Sequence, residues 1–263
     1  MLTNNTHAAL AGVTRVYPAA AGHGEVHALG PVDLTLARGE FFTVVGPSGC
    51  GKSTLLEVLA GLSPANAGNT SFEGKTVEGR VPEGVGVVFQ EDASFPWLTV
   101  WDNVAFGLRR AGADPAEVER RVRDAIAFMG LKDFARAYPA QLSGGMRQRV
   151  ELARAMAGDA RVLLMDEPFS ALDYQTRLRM RRELAELLAA RPRTVVFVTH
   201  DIEEAAQLAD RVVVLSARPA TICEEIRIGI PRPRAVTHPQ VVNTVAHVLR
   251  ALGLEDATPQ SQS

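Results

Sequence analysis

Gly46-Pro-Ser-Gly-Cys-Gly-Lys-Ser53 follows the apolar run Phe41-Phe-Thr-Val-Val45 and leads into helically spaced residues from Lys52 to Leu62. Set between a strand and a helix, it is the full phosphate-loop pattern in the context that pattern requires. Gly46, Gly49 and Gly51 let backbone N–H groups turn inward, and the helix starting at Lys52 adds the partial positive charge of its N-terminus. Both favour a bound polyphosphate. Lys52 is expected to reach the β- and γ-phosphates, and the Ser53 hydroxyl to coordinate Mg²⁺. A chance Gly-rich turn is the competing reading, and the flanking elements disfavour it. Cys50 reads as a small loop residue, not a nucleophile.

Outward from this loop, Val85-Gly-Val-Val-Phe, Val162-Leu-Leu-Met, Thr194-Val-Val-Phe-Val and Arg211-Val-Val-Val-Leu read as further strands. Near-continuous apolar strands imply a sheet covered on both faces. Ala116–Met129, Gly144–Ala157, Tyr174–Ala190 and Ile202–Leu208 carry apolar residues at helical spacing, so the class is α/β with a parallel sheet. Val32–Leu36 and Thr221–Ile228 look like peripheral antiparallel strands. The expected organisation is a core of residues 1–91 and 159–230 with a peripheral β subdomain, an inserted helical subdomain at 92–158, and a short C-terminal helix and tail at 231–263. The last residues, from Ala257, are expected to fray.

Composition narrows the classes. The 263 residues carry 28 Lys plus Arg against 30 Asp plus Glu, a net charge of −2, which argues against a nucleic-acid-coating protein. With 46% hydrophobic and 22% charged residues the chain is globular, not disordered. Two cysteines, Cys50 and Cys223, are too few for a disulfide framework and suit a reducing compartment. The N-terminus lacks the basic flank and apolar core of a secretory signal. No apolar run approaches the roughly 18 to 20 residues of a membrane-spanning helix. The six histidines are scattered, so no structural metal is expected.

Arg161-Val-Leu-Leu-Met-Asp-Glu-Pro168 delivers two carboxylates at the C-terminal end of a buried strand, where ligands sit in parallel sheets. Asp166 is placed to hold Mg²⁺ through water, and Glu167 to act as general base on the attacking water. A strand ending in solvated acids would be the preferred reading without the phosphate loop. Leu142-Ser-Gly-Gly-Met-Arg-Gln-Arg149 opens a helix with a serine and two glycines; by itself it is an ordinary Ser-capped amphipathic helix.

Taken in order, Gly46–Ser53, Gln90, Leu142–Arg149, Asp166-Glu167, Ser170-Ala-Leu-Asp173 and His200 resemble the ATP-binding-cassette ATPases over nearly the whole chain. The resemblance implies ATP and Mg²⁺ as ligands. It implies a head-to-tail homodimer in which Ser143, Gly144 and Gly145 contact the γ-phosphate held by the partner's residues Gly46, Pro47, Ser48, Gly49, Cys50, Gly51, Lys52, Ser53 and Thr54. Asp173 then belongs to the loop joining the two sites, and His200 matches the histidine that senses the γ-phosphate. Gln90 matches the glutamine reaching Mg²⁺ and the attacking water, since an amide offers both donor and acceptor groups. Tyr17 matches the aromatic that stacks on adenine, with ordinary packing as the other reading.

Both tryptophans, Trp97 and Trp101, fall in Phe95-Pro-Trp-Leu-Thr-Val-Trp-Asp-Asn-Val104. They either fill the core of the helical insert or, by the family resemblance, line a groove for a short helix of a membrane-spanning subunit. This segment, Ala171-Leu-Asp-Tyr-Gln-Thr-Arg177 and Ile230-Pro-Arg-Pro-Arg234 resemble the nitrate, sulfonate and taurine branch of bacterial importers. Glu78-Gly-Arg-Val-Pro-Glu-Gly84 departs from the Pro-Gly-containing turn of that branch. Arg177, Arg179, Arg181 and Arg182 read as a solvated helix face paired with Glu183 and Glu186.

The resulting expectation is an ATP-hydrolysing importer subunit, bound through integral-membrane permease subunits to the cytoplasmic face of the membrane, working with a solute-binding protein and without nucleic acid. Two rivals differ in class: a soluble cassette ATPase of DNA maintenance or translation, and a switch that dimerises on ATP without turnover.

Overall fold

The computed structural model describes residues 5–19, 24–77, 79–90 and 93–254. Glu78, the expected domain boundary at 91/92 and the expected frayed tail from Ala257 lie outside these residues. The described residues fall into two compact units, one from Met1–Glu83 with Arg181–Ser263, the other Gly84–Met180.

In the first unit, strands β1 (Thr6–Pro18), β2 (Glu25–Ala37), β4 (Ala67–Phe72) and β5 (Lys75–Thr76) form an antiparallel sheet in the order β2-β1-β4-β5. Leu10 of β1 lies opposite Leu34 and Thr70, all three buried. The second sheet segment runs β10-β9-β3-β8, from Ile222–Arg227, Arg211–Leu215, Phe41–Val45 and Thr194–Val198. β3 is parallel to both β8 and β9, and every residue of these three strands is buried. That two-sided burial is why their sequences read as unbroken apolar runs. Thr43 and Thr194 are polar exceptions and Arg211 the charged one; Arg211 pairs with Glu40 at 2.7 Å and Glu225 at 2.9 Å, leaving no lone buried charge. Helices α1 (Lys52–Ala60), α6 (Ile202–Leu208) and α7 (Pro239–Ala251) complete this unit.

In the second unit β6 (Val85–Val88) pairs in parallel with β7 (Val162–Asp166). Helices α2 (Val100–Arg110), α3 (Pro115–Phe128) and α4 (Gly144–Ala157) bury Val104, Leu108, Val122, Ile126, Val150 and Leu152. Each start is fixed by its own side chain: Thr99 caps α2, Asp114 caps α3 ahead of Pro115 at the first helical position, and Ser143 caps α4. Helix α5 (Tyr174–Ala190) begins in this unit and ends in the first.

Candidate functional site

In the first unit, parallel pairing sets Val44 opposite Val198. Gly46 and His200 each follow two residues later, so the phosphate loop and the histidine leave the sheet at the same C-terminal edge. The loop needs its glycines. Gly49 and Gly51 hold φ of +69° and +128°, and a Cβ on Gly51 would lie 2.8 Å from the Ala28 carbonyl oxygen. Lys52 is buried, and its Nζ donates to the carbonyls of Gly46 and Pro47 at 3.0 Å each. Gly51 is the N-cap of α1 and supplies no side chain, so the first-turn N–H groups of that helix have no side-chain cap. Ser53 and Thr54 sit half-buried in that turn, while Pro47 and Ser48 are exposed. Cys50 is buried, and burial pushes its thiol pKa up against the opposing charge of Lys52.

His200 is exposed, but its neighbours are not free to drift. The Thr199 hydroxyl donates to Glu204 Oε2 at 2.7 Å, Asp201 caps α6, and buried Arg181 pairs with Asp201 and, at 3.0 Å, with Glu204. Tyr17 is half-buried; its hydroxyl lies 3.4 Å from both Glu57 and Ser63, and the Arg15 guanidinium sits 4.3 Å from its ring centroid.

The second unit repeats the logic. β6 sets Val88 opposite Met165 on β7, and Gln90 and Glu167 follow two residues later on each strand. Their side chains meet, with Gln90 Nε2 3.5 Å from Glu167 Oε2. Glu167 holds φ of +45°, a left-handed conformation unusual for a residue with a side chain. Its carbonyl is anchored by the Ser170 hydroxyl at 2.9 Å and by Gln148 Nε2 at 3.2 Å, while Gln148 Oε1 accepts from the Ala171 N–H at 3.1 Å. Gln148 therefore ties the glycine-started helix α4 to the carboxylate-bearing loop. Gly145 permits the same approach, since a Cβ there would lie 3.1 Å from the Ala171 oxygen. Asp166 ends β7 and is buried. Asp173 is exposed; the Thr176 hydroxyl and N–H hold its carboxyl below the usual range.

A family model described as ABC transporter matches residues 29–170. The chain belongs to the ABC transporter family. An uncharacterised ABC transporter ATP-binding protein of Methanocaldococcus jannaschii is 48% identical over 209 residues, 80% of this chain and 78% of that one. An aliphatic sulfonates import ATP-binding protein of Nocardia farcinica is 44% identical over 241 residues, 92% of this chain and 95% of that one. The dimeric structure of a bacterial ABC transporter cassette, 31% identical, superposes with a TM-score of 0.76 over 85% of this chain and all of the other. The same cassette in a post-hydrolysis state with ADP and Pi gives a TM-score of 0.75.

Within this ABC ATPase the structure corrects one expectation. Arg181 does not lie on a solvated face; it is 2% exposed, and its two Nη groups pair with Asp201, Glu204 and Gln207 from α6 and its cap. Arg182, one residue on, does pair with Glu186 at 3.1 Å at the surface. The two tryptophans part company: Trp97 is 70% exposed beside Phe95, whereas Trp101 is half-buried in α2. Sequence reasoning missed Asn103. It is fully buried, accepts from the Phe95 N–H at 2.8 Å and donates to the carbonyls of Phe95, Leu98 and Thr99, fixing the turn that presents Trp97. An Asn inside an otherwise apolar helix face was the available signal.

Proposed function

We propose that this ABC ATPase is the motor subunit of a bacterial importer, taking up a small anionic or organosulfur solute of the nitrate, sulfonate or taurine type. Water attacks the γ-phosphorus, the bond to the β-phosphate oxygen breaks, and ADP and phosphate leave. Glu167 accepts the proton of the attacking water, and Gln90 orients that water from the neighbouring strand. Lys52 and the N–H groups of residues 46–54 bind the phosphates; His200 hydrogen-bonds the γ-phosphate; Tyr17 stacks on adenine. Ser143, Gly144 and Gly145 of one subunit bind the γ-phosphate held by the other, and Asp173 links the two sites.

The donor set suits Mg²⁺. Ser53, Gln90 and Asp166 offer a hydroxyl, an amide oxygen and a carboxylate, hard ligands that with substrate phosphates satisfy an ion rarely held by all-protein cages. When bound, Mg²⁺ neutralises charge on the β- and γ-phosphates.

The importer reading is carried by one observation: exposed Trp97 and Phe106, each against the ring of half-buried Phe95, form an aromatic patch on the unit whose Gln90 touches Glu167. The stretch between them is fastened to α4, because Glu151 accepts from the Ala93 N–H and Arg154 donates to the Ala93 carbonyl at 2.9 Å. Such a patch fits the apolar face of a short helix from a permease. The sulfonate-type solute is supported by the likeness to aliphatic sulfonate import ATP-binding proteins at 42–46% identity. The same likeness supports attachment to the cytoplasmic face of the membrane through permease subunits, fed by a solute-binding protein; no described helix is long and apolar enough to cross a membrane.

Isolation of the tagged chain in mild detergent tests the reading. Recovery of a polytopic membrane protein, with sulfonate uptake lost when the gene is removed, is the expected result. Recovery of ribosomes or DNA-repair proteins from an extract that preserves other membrane complexes would transfer the chain to the soluble cassette class.

A further inference from the structure

The three glycines of the phosphate loop share one neighbour. A Cβ on Gly46 would lie 3.2 Å from Leu215 Cβ, one on Gly49 3.2 Å from Arg218 Nη2, and one on Gly51 3.4 Å from Ala220 Cβ. Arg218 and Ala220 belong to the segment joining β9 to β10, and Leu215 is the last residue of β9, leading into it. β9 runs parallel to β3 with Val214 opposite Val45, so this segment leaves the sheet at the edge where the phosphate loop begins. Its conformation is held independently of any ligand. Ser216 Oγ accepts from the Thr221 N–H at 2.9 Å, and Ala220 exchanges backbone hydrogen bonds with Ala28 and Gly30 at 3.0 and 2.9 Å.

Arg218 differs from the buried arginines of this unit. Arg181 and Arg211 are consumed by carboxylates and Arg234 by the carbonyls of Ile230 and Ala209. Arg218 is exposed, and among the described residues no carboxylate or carbonyl is hydrogen-bonded to its guanidinium. A planar cation with five donors is thus kept against a loop whose own chemistry gathers phosphate. We propose that Arg218 is a second cation of the phosphate site, its guanidinium binding the polyphosphate of the nucleotide alongside Lys52. Its field already reaches the loop, where it opposes the burial that pushes the Cys50 thiol up. The assignment rests on the phosphate-loop reading above, with Lys52 as its independent check.

Equilibrium binding of a fluorescent ATP analogue to the full chain, dilute enough to remain a single subunit, tests it with Arg218→Ala, Arg218→Lys and Lys52→Ala at low and high salt. Loss of a charge-assisted contact is expected to weaken binding by about tenfold in Arg218→Ala and to flatten the salt dependence. Lysine keeps the charge and loses the fork, so Arg218→Lys should stay within about threefold of the parent. Parent-like affinity in Arg218→Ala while Lys52→Ala is weakened would overturn the role of Arg218 and leave the phosphate loop standing. Parent-like affinity in both would remove the loop reading and this one together. Weakening confined to Glu167→Gln dimers, with single-subunit binding intact, would also overturn it and make Arg218 a contact to the second subunit.

Discussion

Glu167 joins its proposed role as general base to an unusual backbone. At φ of +45° the residue costs about 1–3 kcal/mol relative to a relaxed conformation, and the bonds from Ser170 and Gln148 to its carbonyl offset that strain. Glutamine has the same shape and the same backbone needs, so Glu167→Gln isolates the charge. Removing the general base should lower phosphate release by about 10²- to 10⁴-fold while ATP binding is retained. Equal steady-state phosphate release in variant and parent would remove Glu167 from the base role. That carboxylate was legible in the sequence, because a buried strand followed by Asp-Glu is a local pattern. Gln148 and Arg218 were not, since their partners lie 19 and more than 160 residues away and only folding brings them there.

The same distinction holds for elements. β3, β7, β8 and β9 read directly from the sequence because every position is buried, and α4 from its serine cap and apolar spacing. β1 did not. Its thirteen residues are rich in Ala and Thr, and register shifts between Leu10 and Val13 break the alternation that marks a strand. Arg181 was misread because helical spacing shows which residues share a face but not what packs on it. That face meets α6 and its cap, where Arg181 compensates Glu204, itself 3% exposed. Arg181→Ala should therefore cost about 3–5 kcal/mol, the usual penalty of stranding a buried charge. The sign with pH follows from Glu204. Burial raises its carboxyl pKa despite the nearby Arg181, so the contribution of Glu204 is full below its unfolded value near 4.5 and is lost as pH rises through the folded one. Removing Arg181 raises that pKa further. The deficit of Arg181→Ala measured by urea unfolding should thus be larger at pH 7 than at pH 5, with Asp201 and Glu203 the other carboxylates facing the guanidinium. An equal deficit at both pH values would mean that lost packing, not charge, accounts for it.

For the whole molecule, the proposed importer role requires a surface that receives a membrane partner. Asn103 holds the turn that carries Trp97, so the patch is set by the fold before any partner arrives, which lowers the ordering cost of docking. A tryptophan 70% exposed contributes little to folding; its surface matters when something covers it. Trp97→Ala should shift unfolding stability by no more than about 0.5 kcal/mol, as for an ordinary surface change. As an interface anchor it should cost about 2 kcal/mol of docking, roughly a thirtyfold loss of affinity for the permease, read by co-isolation from membranes. Trp101→Ala provides the contrast: its side chain is half-buried in α2, so its loss should lower stability as well. Parent-like co-isolation of Trp97→Ala, with the parent complex intact under the same conditions, would detach the patch from transport. A docking loss with stability unchanged would instead place force transfer on the segment that runs from Gln90, in contact with Glu167, to the aromatic turn, so that ATP hydrolysis and permease movement share one stretch of chain.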